Sequence, residues 1–140
     1  MALSLNQRRA AESFKSSYYN NWENEVKVLL GDKVNVEVNW DTLFTLTEDG
    51  SAQDVANYWP TIYFNPLKEA LESVCSDAMG KEALAAKLTK IIVSGEAETN
   101  DSNTATFADG VFTINQLPYS EGENPSSRVT MWKDKLEAGL

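Results

Sequence analysis

Thr104-Ala-Thr-Phe-Ala-Asp-Gly-Val-Phe-Thr-Ile-Asn-Gln116 is the stretch on which the fold turns. Asp109-Gly110 stands between two short runs of β-branched and aromatic residues. That arrangement predicts a hairpin, because a two-residue type I′ turn needs positive φ at both central positions and Asp-Gly supplies it at low cost. Strands are therefore expected over 104–108 and 111–116. Just upstream, Ile91 to Ser94 reads as another short strand, with a looser turn at Asn100-Asp101-Ser102-Asn103 before the hairpin. Lys33 to Trp40 alternates, with Val34, Val36, Val38 and Trp40 on one face and Lys33, Asn35, Glu37 and Asn39 on the other. This is the period of a strand with one buried and one wet face.

Around these strands the pattern is helical. From about Leu5 to Leu30 the apolar residues Phe14, Tyr18, Trp22, Val26 and Leu29 or Leu30 recur on one helical face, and Gly31 supplies the stop. Asp41 opens an ambiguous run over 42–47, a short helix capped by Asp41 or a second strand, with the helix preferred because no hairpin turn precedes it. Ser51-Ala-Gln-Asp54 predicts a short helix through Trp59, ended by Pro60. Asn65-Pro66 predicts a fresh helix start, with Leu67, Ala70, Leu71, Val74, Cys75 and Ala78 inward. Gly80 is expected to interrupt or end that helix, and Lys81 to Lys90 to form another. Ser126 to Leu140 closes the chain as a helix with Val129, Trp132 and Leu136 on one face.

The order α-β-α-α-α-β-β-β-α implies an α+β fold: one two-layer domain over 1–140, an antiparallel sheet of about four strands covered on one side by helices. A chain of 140 residues is near the commonest domain size. Its 42% hydrophobic and 24% charged residues are those of a folded globular protein rather than a disordered one.

Composition also removes most familiar chemistry. The chain has no histidine and a single cysteine, Cys75. Triads of the Ser-His-Asp or Cys-His kind, His-containing zinc sites, Cys-x-x-Cys redox pairs and internal disulfides are all excluded. Cys75 lies on the apolar face of its helix with no adjacent cation, so it reads as a small buried hydrophobe. Asp101-Ser-Asn103 begins like a calcium loop but lacks the glycine and the acidic final ligand. Neither phosphate-binding glycine loop is present, nor is Gly-x-Ser-x-Gly. Carboxylate, lysine, tyrosine, serine and threonine are what remain for chemistry; a carboxylate pair could come from anywhere in the fold, and no acid is singled out for it. The expectation is a protein without catalytic residues, metal or cofactor.

Charge is the other signal. The net charge is −9, from 21 acidic and 12 basic residues. No Lys or Arg occurs from Val34 to Leu67 or from Ile91 to Ser127. Such a field repels nucleic-acid phosphates and anionic lipid headgroups and attracts a basic protein. Ten of the 14 aromatic residues fall in residues 1–70, densest at Tyr58-Trp59-Pro60-Thr61-Ile62-Tyr63-Phe64. The sequence thus favours a small acidic, non-catalytic interaction protein of the inhibitor, immunity or adaptor type. Glu96, Glu98, Asp101, Glu121 and Glu123 would steer a basic partner, and Trp40, Tyr58, Trp59 and Tyr63 would supply aromatic contacts. The alternative is a small-molecule carrier with an aromatic-lined pocket between the first helix and the sheet. Homodimerisation through the aromatic connector fits as well. No secretory leader or spanning segment is read, and a lone thiol suits a reducing compartment, so a cytoplasmic location is expected.

Overall fold

In the computed structural model, four strands form one mixed sheet in the order β1-β2-β4-β3: β1 (Asn35–Val38), β2 (Lys90–Ser94), β3 (Ala105–Ala108) and β4 (Val111–Asn115). The structure describes residues 4–31, 34–43, 59–94, 105–115 and 125–140, without the side chains of 61–62 and 125–128. The hairpin is where the Asp-Gly pair puts it, with φ of 54° at Asp109 and 81° at Gly110. The Gly110 carbonyl accepts from the backbone N–H groups of Thr89 and Lys90, which ties the turn to the start of β2.

Strand direction is where the antiparallel expectation needs correcting. β3 and β4 pair antiparallel, but β2 runs parallel to both β1 and β4. The helices between β1 and β2 make the long crossover that a parallel pair requires. The hairpin then places β4, not β3, beside β2. Two rows of side chains cross the sheet on its core face, Val36-Ile91-Phe112-Phe107 and Val38-Val93-Ile114-Ala105. The opposite face carries Glu37, Ile92, Thr113 and Thr106 and is half exposed, with Lys90 and Glu37 paired at 3.3 Å. Helices therefore cover one side, as an α+β two-layer unit requires.

The N-terminal helix spans 26 residues in three parts: α1 (Leu5–Phe14), a π-helical turn (Lys15–Tyr19) and α2 (Asn20–Leu30). Ser4 caps it, accepting from the Gln7 N–H while the Gln7 side chain accepts from Ser4. Its buried face is Ala10, Ala11, Phe14, Tyr19, Trp22, Val26 and Leu30, so Tyr19 takes the inward place expected of Tyr18. An α-helix turns about 100° per residue, so residues five apart would face roughly opposite ways. The wider π turn accommodates the five-residue step from Phe14 to Tyr19 and keeps both in one stripe. Gly31, at φ 92°, ends the helix, its N–H bonded to the Lys27 carbonyl at 2.7 Å.

β1 leads into a single helical turn, α3 (Trp40–Leu43), with Asp41 inside it and not as its cap; residues 44–47 of the ambiguous run lie outside the described residues. The expected helix over 51–59 lies outside the described residues except for its last one. Pro60 does not end a helix, and Asn65 does not cap one. A π turn, Pro60–Phe64, runs straight into α4 (Asn65–Val74), and the Asn65 N–H bonds to the Pro60 carbonyl. Pro60 is the first residue of the π turn, and Pro66 falls at the junction of two helix types. The break before α5 (Ala78–Lys87) comes at Cys75–Asp77, not at Gly80. Asp77 caps α5 by accepting from the Gly80 N–H at 2.7 Å. A Cβ on Gly80 would stand 2.0 Å from the Val74 carbonyl oxygen, so glycine is there for close approach. α6 (Pro125–Ala138) packs on α4 and β3, burying Trp132 and Leu136.

Candidate functional site

The aromatic residues that sequence reading placed at an interface are largely interior. Trp59 is 1% exposed and Tyr63 0%, and both belong to the main core. Trp59 sits edge-on to Phe14 at 5.0 Å, and Phe64 stacks among Phe14, Tyr19 and Trp22 at 5.0–5.6 Å. Trp22 donates its indole N–H to the Phe64 carbonyl at 2.8 Å, which joins the first helix to the second π turn. Trp59 and Tyr63 are thus packing residues, not surface anchors. A helix that continues through Pro60 points them at the sheet instead of leaving them on a connector. Trp40 is half-buried over this cluster, 5.6 Å from Trp59, with the Lys15 ammonium 5.1 Å above its ring. Tyr58, Glu96, Glu98, Asp101, Glu121 and Glu123 lie outside the described residues.

Topology nevertheless brings the ends of the acidic segments together. The register sets Val38, Ser94, Asn115 and Ala105 along one end of the sheet. Residues 44–58 leave from Leu43, just beyond β1, and rejoin at Trp59, which rests on Trp40. Residues 95–104 join Ser94 to Ala105, and residues 116–124 leave from Asn115 toward α6. The far end of α6 meets Phe107 and Lys87 near the hairpin turn. All three segments are therefore tethered at the C-terminal end of the parallel strands. They contain Glu48, Asp49 and Asp54; Glu96, Glu98 and Asp101; and Glu121 and Glu123, with no Lys or Arg. The hairpin end carries Lys87 and Lys90 instead.

Polar groups mark the same end. Ser94 is among the few buried polar residues, its hydroxyl 3.3 Å from that of Thr42. Asn115, its register partner, has a buried side-chain oxygen with no hydrogen-bond partner. An acceptor left without any donor costs about 1–3 kcal/mol.

A second concavity lies on the helical layer. α2 and α4 flank a groove of about 390 Å³ lined by Asn24, Glu25, Val28, Leu29, Lys68 and Glu72. Lys68 and Glu25 form an ion pair across it, which lowers the Glu25 carboxyl and raises the Lys68 ammonium relative to their ordinary values. Sequence reading missed Val28. The available signal was its position off the apolar stripe, about 200° around the helix from Val26.

Burial pushes the Tyr19 phenol well up, helped by its hydrogen bond to Glu23, and burial raises the Cys75 thiol. Among the described residues no three carboxylate or thiol side chains converge as a metal site, and no helix is long and apolar enough to cross a membrane. No protein-family model, curated protein or solved structure matches the chain.

Proposed function

We propose that this chain is a non-catalytic acidic interaction protein that binds a basic protein partner at the C-terminal end of its parallel strands. The observation that supports the reading is that Leu43, Ser94, Ala105 and Asn115, the described residues flanking three cation-free stretches of sequence, follow or end strands at one end of the sheet. Those stretches contain the eight carboxylates named above, while Lys and Arg occur in the helical stretches of the sequence and beside the hairpin. One-signed charge at a single pole steers a complementary partner and raises its association rate. Glu96, Glu98, Asp101, Glu121 and Glu123 are the residues assigned to the contact, and the Asn115 side-chain oxygen at the end of β4 offers a further acceptor. The lone, unreactive thiol fits a cytoplasmic setting. The carrier reading has less behind it, because the rings of Phe14, Trp40, Trp59 and Phe64 contact one another instead of lining a space.

The test is a tagged capture from lysate, read by mass spectrometry at low and high salt, with wild type beside a variant carrying Glu96→Gln, Glu98→Gln, Asp101→Asn, Glu121→Gln and Glu123→Gln. Screening shortens from a Debye length of about 30 Å at 0.01 M salt to about 8 Å at 0.15 M. A basic partner held by wild type at low salt, and lost both at high salt and by the variant, supports the reading. A chain that recovers only itself at both salts sinks the heteromeric reading and leaves self-association. An equal yield from wild type and variant removes the acidic pole from the function.

A further inference from the structure

The groove between α2 and α4 lies on the helical layer, away from the strand ends, and its composition differs from theirs. Val28 is 87% exposed, more than the other large apolar side chains found at the surface, and it stands at the groove's edge beside half-buried Leu29. Asn24 and Val28, and Glu25 and Leu29, are four apart on α2, as Lys68 and Glu72 are on α4, so two adjacent rows of α2 face one row of α4. The charge around the floor is lopsided. Its one cation, Lys68, pairs with Glu25, which also accepts from the Asn21 side-chain amide, and Lys68 feels the Glu72 carboxylate as well. Glu72 is exposed on the far wall, and Glu69 is exposed one turn away on the same helix. An apolar strip with an acidic rim and a satisfied lysine matches one kind of occupant.

We infer that this groove docks an amphipathic helix whose apolar residues are flanked by lysine or arginine. Charge complementarity selects the occupant. Two carboxylates and one ammonium line the groove, so an acidic helix adds to its net negative charge, whereas a basic one offsets it as its apolar residue covers Val28 and Leu29. The inference rests on the basic-partner reading and deepens it, giving that partner a second, apolar contact distinct from the acidic pole. The pole supplies long-range attraction, and the groove supplies water-excluding area that salt does not screen.

The experiment uses the full chain and two synthetic helical peptides of the same pattern, one of leucine and lysine and one of leucine and glutamate, titrated while backbone amide shifts are followed by NMR. The Leu/Lys peptide should move the amides of Asn24, Glu25, Val28, Leu29, Lys68 and Glu72, and the Leu/Glu peptide should not. Val28→Glu is the deciding variant. It adds a negative charge, so attraction to acid alone would tighten the complex, whereas docking on the groove weakens it by about tenfold, the scale of an interface anchor. Glu72→Lys should weaken binding about as much. Both positions are exposed, and unchanged melting temperatures will show that neither variant acts through folding. Absence of binding, shifts confined to the strand ends, or a Val28→Glu complex as tight as wild type overturns the groove. The last two outcomes leave the acidic-pole reading standing, and the five-residue neutralised variant judges that reading separately.

Discussion

Deleting Ser17 tests the central structural argument, that the π turn in the N-terminal helix holds one residue more than an α-helix needs. Phe14 and Tyr19 are both buried, five positions apart. At about 100° per residue, an α-helix would carry Tyr19 roughly 140° away from Phe14, whereas a four-residue step leaves a drift of only about 40°. Removing Ser17 therefore converts the π turn to α and keeps Ala10, Ala11 and Phe14 in line with Tyr19, Trp22 and Val26. Ser17 is exposed, and its hydroxyl donates to the Ser13 carbonyl at 2.7 Å, a surface bond whose loss costs about 1 kcal/mol at most. Deleting the equally exposed Asn24 is the contrast. It rotates Val26 and Leu30 by about 100° out of the core, and losing two such side chains costs roughly 3–6 kcal/mol. That approaches the whole stability of an ordinary domain, about 5–15 kcal/mol. Urea titration followed by tryptophan fluorescence separates the two. With a slope of roughly 1–3 kcal/mol per molar, the Ser17 deletion should keep a cooperative transition within about 1 M of wild type, and the Asn24 deletion should lose it. If removing Ser17 is as damaging as removing Asn24, the turn is not an inserted residue and the reasoning fails.

Other consequences are equally direct. Gly110→Ala meets positive φ and a Cβ position 2.7 Å from the Lys87 carbonyl oxygen, so chemical denaturation should show a loss of about 1–3 kcal/mol. Trp59→Ala should cost about 3–5 kcal/mol by the same assay because the side chain is core; a change under about 1 kcal/mol would return it to the surface. The folded state raises the Tyr19 phenol above its ordinary value near 10, so above that pH the unfolded chain loses a proton that the folded chain keeps. Stability should therefore fall as pH rises past about 10, and Tyr19→Phe should flatten that slope between pH 9 and about 11. Cys75 is half-buried with its thiol pushed up, so at neutral pH it should react with a disulfide reagent more slowly than a free thiol and approach the free rate once urea unfolds the chain.

Local signals carried much of this fold in the sequence. Asp109-Gly110 announced its turn because so few residues adopt positive φ cheaply, and the alternation from Val34 to Val38 announced a strand with one wet face. The hydrophobic faces of the first and last helices were legible for the same reason. Signals failed where a local preference was overruled by distant packing. Tyr18 fitted the α-helical stripe better than Tyr19, and only the rings of Phe64 and Trp40 against Tyr19 show why a π turn forms. Pro60, Asn65-Pro66 and Gly80 all resemble helix boundaries, yet two of these sites lie within one continuous helix and the third lies in the first turn of another. Gly80 owes its identity to the Val74 carbonyl, an atom six residues back across a helix break.

The candidate site divides in the same way. The sequence by itself determined the charge, the absence of histidine and paired thiols, and the three segments without a cation, because those are properties of composition and order. That the described residues flanking them lie at one end of the sheet depends on strand direction. That was decided by the long helical crossover from β1 to β2, which makes the pair parallel, and by the hairpin, which folds β4 back against β2. Had the sheet been antiparallel throughout, the same acidic segments would have been split between its two ends. Burial likewise moved Trp59 and Tyr63 from a supposed surface to the core and left Val28 exposed beside Glu25 and Lys68. Helical periodicity shows which side chains share a face, but only the packed neighbours decide which face is covered.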